Sequence, residues 1–331
     1  GDVTKTGTIV ANQIAIWNNA TNQLRSDPTF VIDSNNKIIL YQPKISGGAA
    51  DISTSNIGGG NLANVTGAGN TGFGKNNLNS LTQGFSNNAF GEDALLSLTT
   101  GTFNVAVGSL ALKTNLIGGS NTAIGNSAYR NGTGSNNTSI GAQSLFGATT
   151  GGDNVAVGYK AIAVGTGISF ATAVGTSAIE YNIGNGNTAI GYHALRGPSS
   201  GTVNGNSNTA VGNGSLKNLT TSTNSTALGE SSGQNVTTGG NNTLIGTNAG
   251  STMTTNSNNT FVGVNAGNGL NSTSAFNGNG NTFIGKFAGS STTTATDCVI
   301  IGSNNGSTIA ALSNNIIISD GDGNNRIQVD S

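Results

Sequence analysis

The chain has 331 residues, among them 53 Gly, 51 Asn, 43 Thr and 35 Ser, so more than half of it belongs to types that are poor inside helices. Only 8% of residues are charged and the formal net charge is −1, which excludes an electrostatic hold on nucleic acid or on an anionic membrane surface. No apolar run approaches the ~18 residues of a membrane span and no signal peptide opens the chain, so no membrane insertion is expected. A single Cys, Cys298, rules out an internal disulfide framework and a multi-Cys metal site.

In chain order, residues 1–45 are the least repetitive and read as an N-terminal β shaft or connector module. They hold the only Trp, Trp17, and the turn Ser34-Asn35-Asn36 between Val31–Asp33 and Lys37–Tyr41 predicts a hairpin. Residues 46–69 are Gly-rich and read as a linker and cap. From there a repeat takes over, expected to span 70–302. Its anchor glycines are Gly74, Gly91, Gly108, Gly125, Gly141, Gly158, Gly175, Gly191, Gly212, Gly229, Gly246, Gly263, Gly285 and Gly302, with a modal spacing of 17.

The columns of this repeat carry chemistry. Before each anchor stands a large apolar residue, as at Val107, Ile124, Ile140, Val157, Val174, Ile190, Val211, Ile245, Val262 and Ile284. These are expected to form the core of the repeat. Two places before the anchor the residue is small in the first ten units, mostly Ala, and four places before it is usually Asn. Four places after it, Leu, Ile or Tyr stands in the first nine units and Gly in the last five, which divides the array into 70–224 and 225–302. Tetrapeptides such as Asn-Thr-Ala-Ile predict short strands. A 17-residue unit of two such strands with polar turns predicts one coil of an all-β parallel β-solenoid, stacked ~4.8 Å per coil. The thin apolar supply per coil predicts lateral association of several chains, with the small Ala column at their interface. Where Leu244, Phe261, Phe283 and Ile300 replace Ala, the apolar filling is expected to move from the coil interior toward the axis between chains.

Two long spacings mark insertions at Arg196–Ser207 and Asn268–Gly280, where loops could meet a partner. Tyr192, His193, Arg196 and Phe276 are the candidate receptor contacts. The plainer reading is that these residues are surface side chains, and that the loops only relieve packing. Residues 303–331 read as a C-terminal cap hairpin. There Asp320-Gly321-Asp322-Gly323-Asn324-Asn325 resembles the start of a calcium loop but lacks the downstream bidentate Glu, so a turn explains it better. Cys298 falls in an Asn column and reads as a buried small thiol.

Catalytic, cofactor and metal sites are all expected to be absent. Glu92, Asp93, Asp153, Glu180, Glu230 and Asp297 are too scattered to form the paired carboxylates of a glycan hydrolase within one chain. Ice binding through the Thr column is set aside because strand alternation puts Thr on the same side as the Ile/Val expected to be inside.

Runs such as Asn187-Thr188-Ala189-Ile190-Gly191-Tyr192-His193-Ala194-Leu195 resemble the head repeats of trimeric autotransporter adhesins. They resemble still more the related repeats of bacteriophage tail fibres. The likeness covers about 70–302, and the 17-residue period departs from the adhesin heads. Asn12–Leu40 looks like the strand-and-turn modules of tail-fibre shafts, and Ile316–Ser331 is similar to the segment that precedes a self-cleaving trimerisation chaperone. The resemblance implies a left-handed β-roll and a homotrimer, intertwined or side by side, in a virion tail fibre or on an extracellular particle surface. It implies a host-surface glycan or protein receptor, and other fibre or baseplate proteins at the N-terminal end. A bacterial trimeric surface adhesin is the alternative, with a polysaccharide-degrading tailspike third.

Overall fold

The computed structural model describes residues 67–329 except 149, 182, 200–202 and 270–277, together with the backbone of four earlier strands. Three of these, β1 (Gln13–Asn18), β2 (Gln23–Ile32) and β3 (Ile38–Leu40), form an antiparallel sheet in the order β1-β2-β3. Val31 pairs with Ile39 and Ile32 with Ile38, as expected for the two arms of a hairpin, while the turn Ser34–Asn36 lies outside the described residues.

The fourth, β4 (Ser55–Ile57), pairs in parallel with β5 (Thr71–Phe73) and so begins the stack one coil before the sequence repeat. Parallel pairing then continues in register, one strand per coil. It runs through strands such as β8 (Thr122–Ile124), β12 (Thr188–Ile190) and β16 (Thr260–Val262) to β18 (Val299–Ile301). A further rung, β19 (Ile316–Ser319), stacks on β18, and β20 (Asn325–Val329) turns back antiparallel on it. The all-β parallel solenoid of about fourteen 17-residue coils is thus present, extended by a rung at each end. Sixteen rungs at ~4.8 Å make a ladder roughly 70 Å long.

Each coil has one strand, not two. The second wall is a stack of turns, still bonded coil to coil: Leu95 N–H donates to Ala111 O at 3.0 Å and Leu112 N–H to Ala128 O at 3.0 Å. Residues two and four places after the anchor take positive φ there, as at His193 (56°) and Leu112 (50°). Such left-handed positions interrupt an extended strand.

The sidedness of the strand reverses the sequence expectation. Ala89, Ala106, Ala123, Ala156, Ala173, Ala189, Ala210 and Ala227 are fully buried inside the coil. Val107, Ile124, Ile140, Val174, Ile190 and Ile284, expected as core, face outward with 37–42% of their surface exposed. Val157, Val211, Ile245 and Val262, in the same column, are half-buried. The cause is volume. The interior of a 17-residue coil is narrow, and Leu78, Leu95, Leu112, Leu145 and Leu195 from the turn wall fill it completely. Only a methyl group fits opposite them, so the Ala column lines the interior and is not available to a neighbouring chain.

The last coils fill the same space from the other wall. Leu244, Phe261, Phe283 and Ile300 are fully buried within the coil, which corrects the expectation that they shift toward an axis between chains. Phe261 and Phe283 stack with centroids 4.9 Å apart and planes 4° from parallel. Opposite Phe261 stands Gly267, at φ +63°, where a Cβ would collide with the ring. The bulk has changed walls, and the wall that lost it has become Gly.

Anchor glycines are required twice over. Gly125 has φ +133°, and a Cβ on it would lie 2.7 Å from the carbonyl oxygen of Gly141 in the next coil. Behind the strand runs a ladder of buried Asn side chains. Asn87 Oδ1 accepts from the N–H and from Nδ2 of Asn104, both at 3.0 Å, and Asn104 Nδ2 donates on to Gly118 O at 2.9 Å. Asn104 Oδ1 then serves Asn121 in the same way. Each amide satisfies backbone groups that a tight corner would otherwise bury unpaired.

Candidate binding surface

On such a repetitive rod, side chains that depart from the column pattern are the first candidates for specific contacts. Their densest concentration spans the coils anchored at Gly158, Gly175, Gly191 and Gly212. Tyr159 and Tyr192 both follow an anchor directly, two coils apart, and are 49% and 52% exposed. Tyr192 and His193 stack with centroids 3.7 Å apart.

Five places after successive anchors stand Glu180, Arg196 and Lys217, placed one above the next by the coil stacking. Gly197 N–H donates to Lys217 O at 2.9 Å, which fixes that stacking. Glu180 is buried and takes a 2.9 Å bond from Arg196 Nε, with Lys160 Nζ at 4.0 Å. Arg196 also lies over the Tyr181 ring at 5.1 Å, and Lys160 over the Tyr159 ring at 5.4 Å.

Electrostatics follow from these contacts. Burial alone pushes the Glu180 carboxyl up, but hydrogen bonds from Arg196, Ser177 and Tyr181 and the Arg196 charge hold it below the usual carboxylate range. His193 is held below the ordinary 6.5 by its burial and by the charges of Arg196 and Lys217, so its ring is neutral at pH 7. One carboxylate therefore faces two cations, and with Lys217 beside His193 these four groups carry a positive surplus on a chain of net charge −1.

Of the residues singled out in the sequence, Tyr192, His193 and Arg196 meet here, whereas Phe276 lies outside the described residues. The Arg196–Ser207 insertion is less of a free loop than expected. Val203 is buried and its carbonyl accepts the Ile183 N–H at 2.7 Å, so the segment rejoins the stack. Sequence reasoning missed Tyr159, Lys160, Tyr181 and Lys217, and weighed Glu180 only as a catalytic carboxylate. Counting offsets from the anchor Gly would have found them, because equal offsets become neighbours when coils stack.

The other candidates have local explanations. Glu92 pairs with Lys75 at 3.2 Å, and Asp93 with Lys113 at 3.0 Å. Cys298 is buried in the Asn column, its N–H on Asn281 Oδ1 at 3.0 Å. Asp320 Oδ1 accepts the N–H groups of Asn324 and Asp322 at 2.9 and 3.0 Å, closing the turn before β20. Bonds from Asn324 and Arg326 help keep that carboxyl down at about 2. Among the described residues, no group of three His, Cys, Asp or Glu is placed to hold a metal, and no helix is long and apolar enough to cross a membrane. Compared with known proteins, the chain matches no family model, no curated protein and no solved structure.

Proposed function

We propose that this chain is an adhesive, structural fibre segment that works as a side-by-side homotrimer and carries a host-binding surface, as in a phage or phage-tail-like particle. The observation that carries the reading is the outward strand face. Thr122, Thr138, Thr172 and Thr188 alternate with Ile124, Ile140, Val174 and Ile190 to form one continuous, uncharged, half-apolar strip along the rod. Roughly 70 Å long and about 10 Å wide on strand geometry, the strip offers about the ~800 Å² per partner of a stable protein interface. A continuous strip with an exposed or half-exposed apolar side chain in coil after coil suits an interaction face. Its regular ~4.8 Å register is matched by another copy of the same ladder.

Because Thr and Ile both face outward, the ground for setting ice binding aside falls. Bulky Phe73, Phe90 and Leu228 in the strip nevertheless fit a protein neighbour better than a flat water lattice. The particle reading and a bacterial surface adhesin share this geometry and differ in gene neighbourhood, baseplate genes against an outer-membrane anchor domain. A tailspike hydrolase would need paired carboxylates.

Sedimentation equilibrium of the purified chain, followed by attachment to candidate host cells, tests the proposal. A trimer that attaches supports it. A monomer at micromolar concentration overturns it, and a monomer that also shapes growing ice crystals would install the ice-binding reading in its place.

A further inference from the structure

We infer that the patch around Tyr159, Tyr192 and His193 binds an acidic oligosaccharide, one whose sugar rings carry carboxylates, laid along the rod. The inference deepens the adhesive reading, on which it rests, by naming the chemistry of the ligand.

Three observations converge on it. Tyr159 and Tyr192 occupy the same offset two coils apart, so their exposed rings repeat at roughly 10 Å along the axis. Exposed aromatic faces at a fixed interval suit the apolar faces of successive sugar rings, with the phenol hydroxyls free to hydrogen-bond. Stacking of His193 on Tyr192 fixes one of these rings, which lowers the ordering cost of binding.

Charge complementarity sets the ligand class. Lys160 and Arg196 both reach a single carboxylate, the buried Glu180, and Lys217 adds its charge beside His193. Two positive charges are left over, and Lys160 and Lys217 stand on the two sides of the Tyr192 coil in the stack. A neutral glycan would leave that surplus charge uncompensated, whereas a carboxylate on each bound segment balances it.

The test uses the full chain and two probes, an oligogalacturonate hexamer and its fully methyl-esterified form, which has the same rings without the charge. Titration calorimetry should show binding of the acid, at least tenfold weaker binding of the ester, and loss of acid affinity as salt is raised. The double change Tyr159→Ala and Tyr192→Ala, and separately Lys217→Gln, should each weaken the acid at least tenfold while leaving thermal unfolding unchanged. Arg196 is left intact because its removal would strand buried Glu180. Equal binding of acid and ester, acid binding that survives the Tyr changes, or no binding of the acid would each overturn the inference. Sedimentation and cell attachment of the same preparations keep the two readings apart. A trimer that attaches to cells yet ignores the acid hexamer refutes the ligand class alone, and a monomer refutes the fibre reading.

Discussion

Leu216 and Leu244 converge on Gly233. A Cβ at Gly233 would lie 2.9 Å from Leu216 Cδ2 and 2.7 Å from Leu244 Cδ1. Leu216 is the last large side chain four places after an anchor, and Leu244 the first large one two places before an anchor. The coil between them has Ala227 on one wall and Gly233 on the other, so its interior is filled by its own Val236 together with Leu216 and Leu244 from the coils above and below. The two halves of the rod therefore join without a break in the core.

This junction should be movable. Gly233→Leu alone inserts a side chain into occupied space at φ +58° and should cost roughly 2–4 kcal/mol. Combined with Leu244→Ala, the junction shifts by one coil, and the pair should be at least ~1 kcal/mol more stable than the sum of the single changes. Denaturant unfolding of the four proteins measures the coupling. Additive costs would mean the interior is not shared between coils.

The Asn ladder has a gap at Ala171, whose N–H donates to Asn154 Oδ1 but which has no side-chain oxygen to offer Asn187. Ala171→Asn should restore the missing rung and stabilise the protein by about 1 kcal/mol. Asn121→Ala, in an unbroken stretch, should cost about 1–3 kcal/mol by orphaning the Asn137 N–H that it now serves. A thermal shift of the same sign for both variants would contradict this account.

Neighbouring residues Ala123 and Ile124 should respond oppositely to charge. Ala123→Arg places a cation in a filled coil and should cost several kcal/mol of stability, seen as lost circular dichroism and raised protease sensitivity. Ile124→Arg points outward and should leave the coil folded while weakening self-association, read by sedimentation. Ile124→Arg protein of wild-type mass would remove the strand face from the interface.

Acid should loosen the rod in two stages. His193 has a folded-state pKa below its ordinary 6.5, so it favours the folded state when neutral. That contribution is complete above about pH 6.5 and declines as pH falls through this value. Glu180 and Asp93 are both depressed, Asp93 chiefly by its bond from Lys113, so their stabilisation holds above their ordinary values of 4.5 and 3.8 and fades below them. His193→Gln should abolish the upper stage and leave the lower one, as measured by melting temperature against pH.

The sequence by itself determined the period, the strand at each Thr-Ala-Ile, the anchor Gly that ends it and the Asn that precedes it. These features are local and repeat, so backbone geometry and fourteen-fold recurrence made them legible. The same columns already held the Tyr159–Lys217 cluster in coded form. Tyr159 and Tyr192, or Glu180, Arg196 and Lys217, are distant in sequence and become adjacent only through equal offsets from an anchor. What the tertiary structure alone decided is which side of the strand is inside. Alternation tells that Ala123 and Ile124 face opposite ways, but not which of them faces the core, and hydrophobicity favours the larger. The coil closes on too small a cross-section to hold both Leu112 and a large strand residue facing it. The interior therefore takes the methyl groups, and the Ile/Val ladder is left on the outer surface.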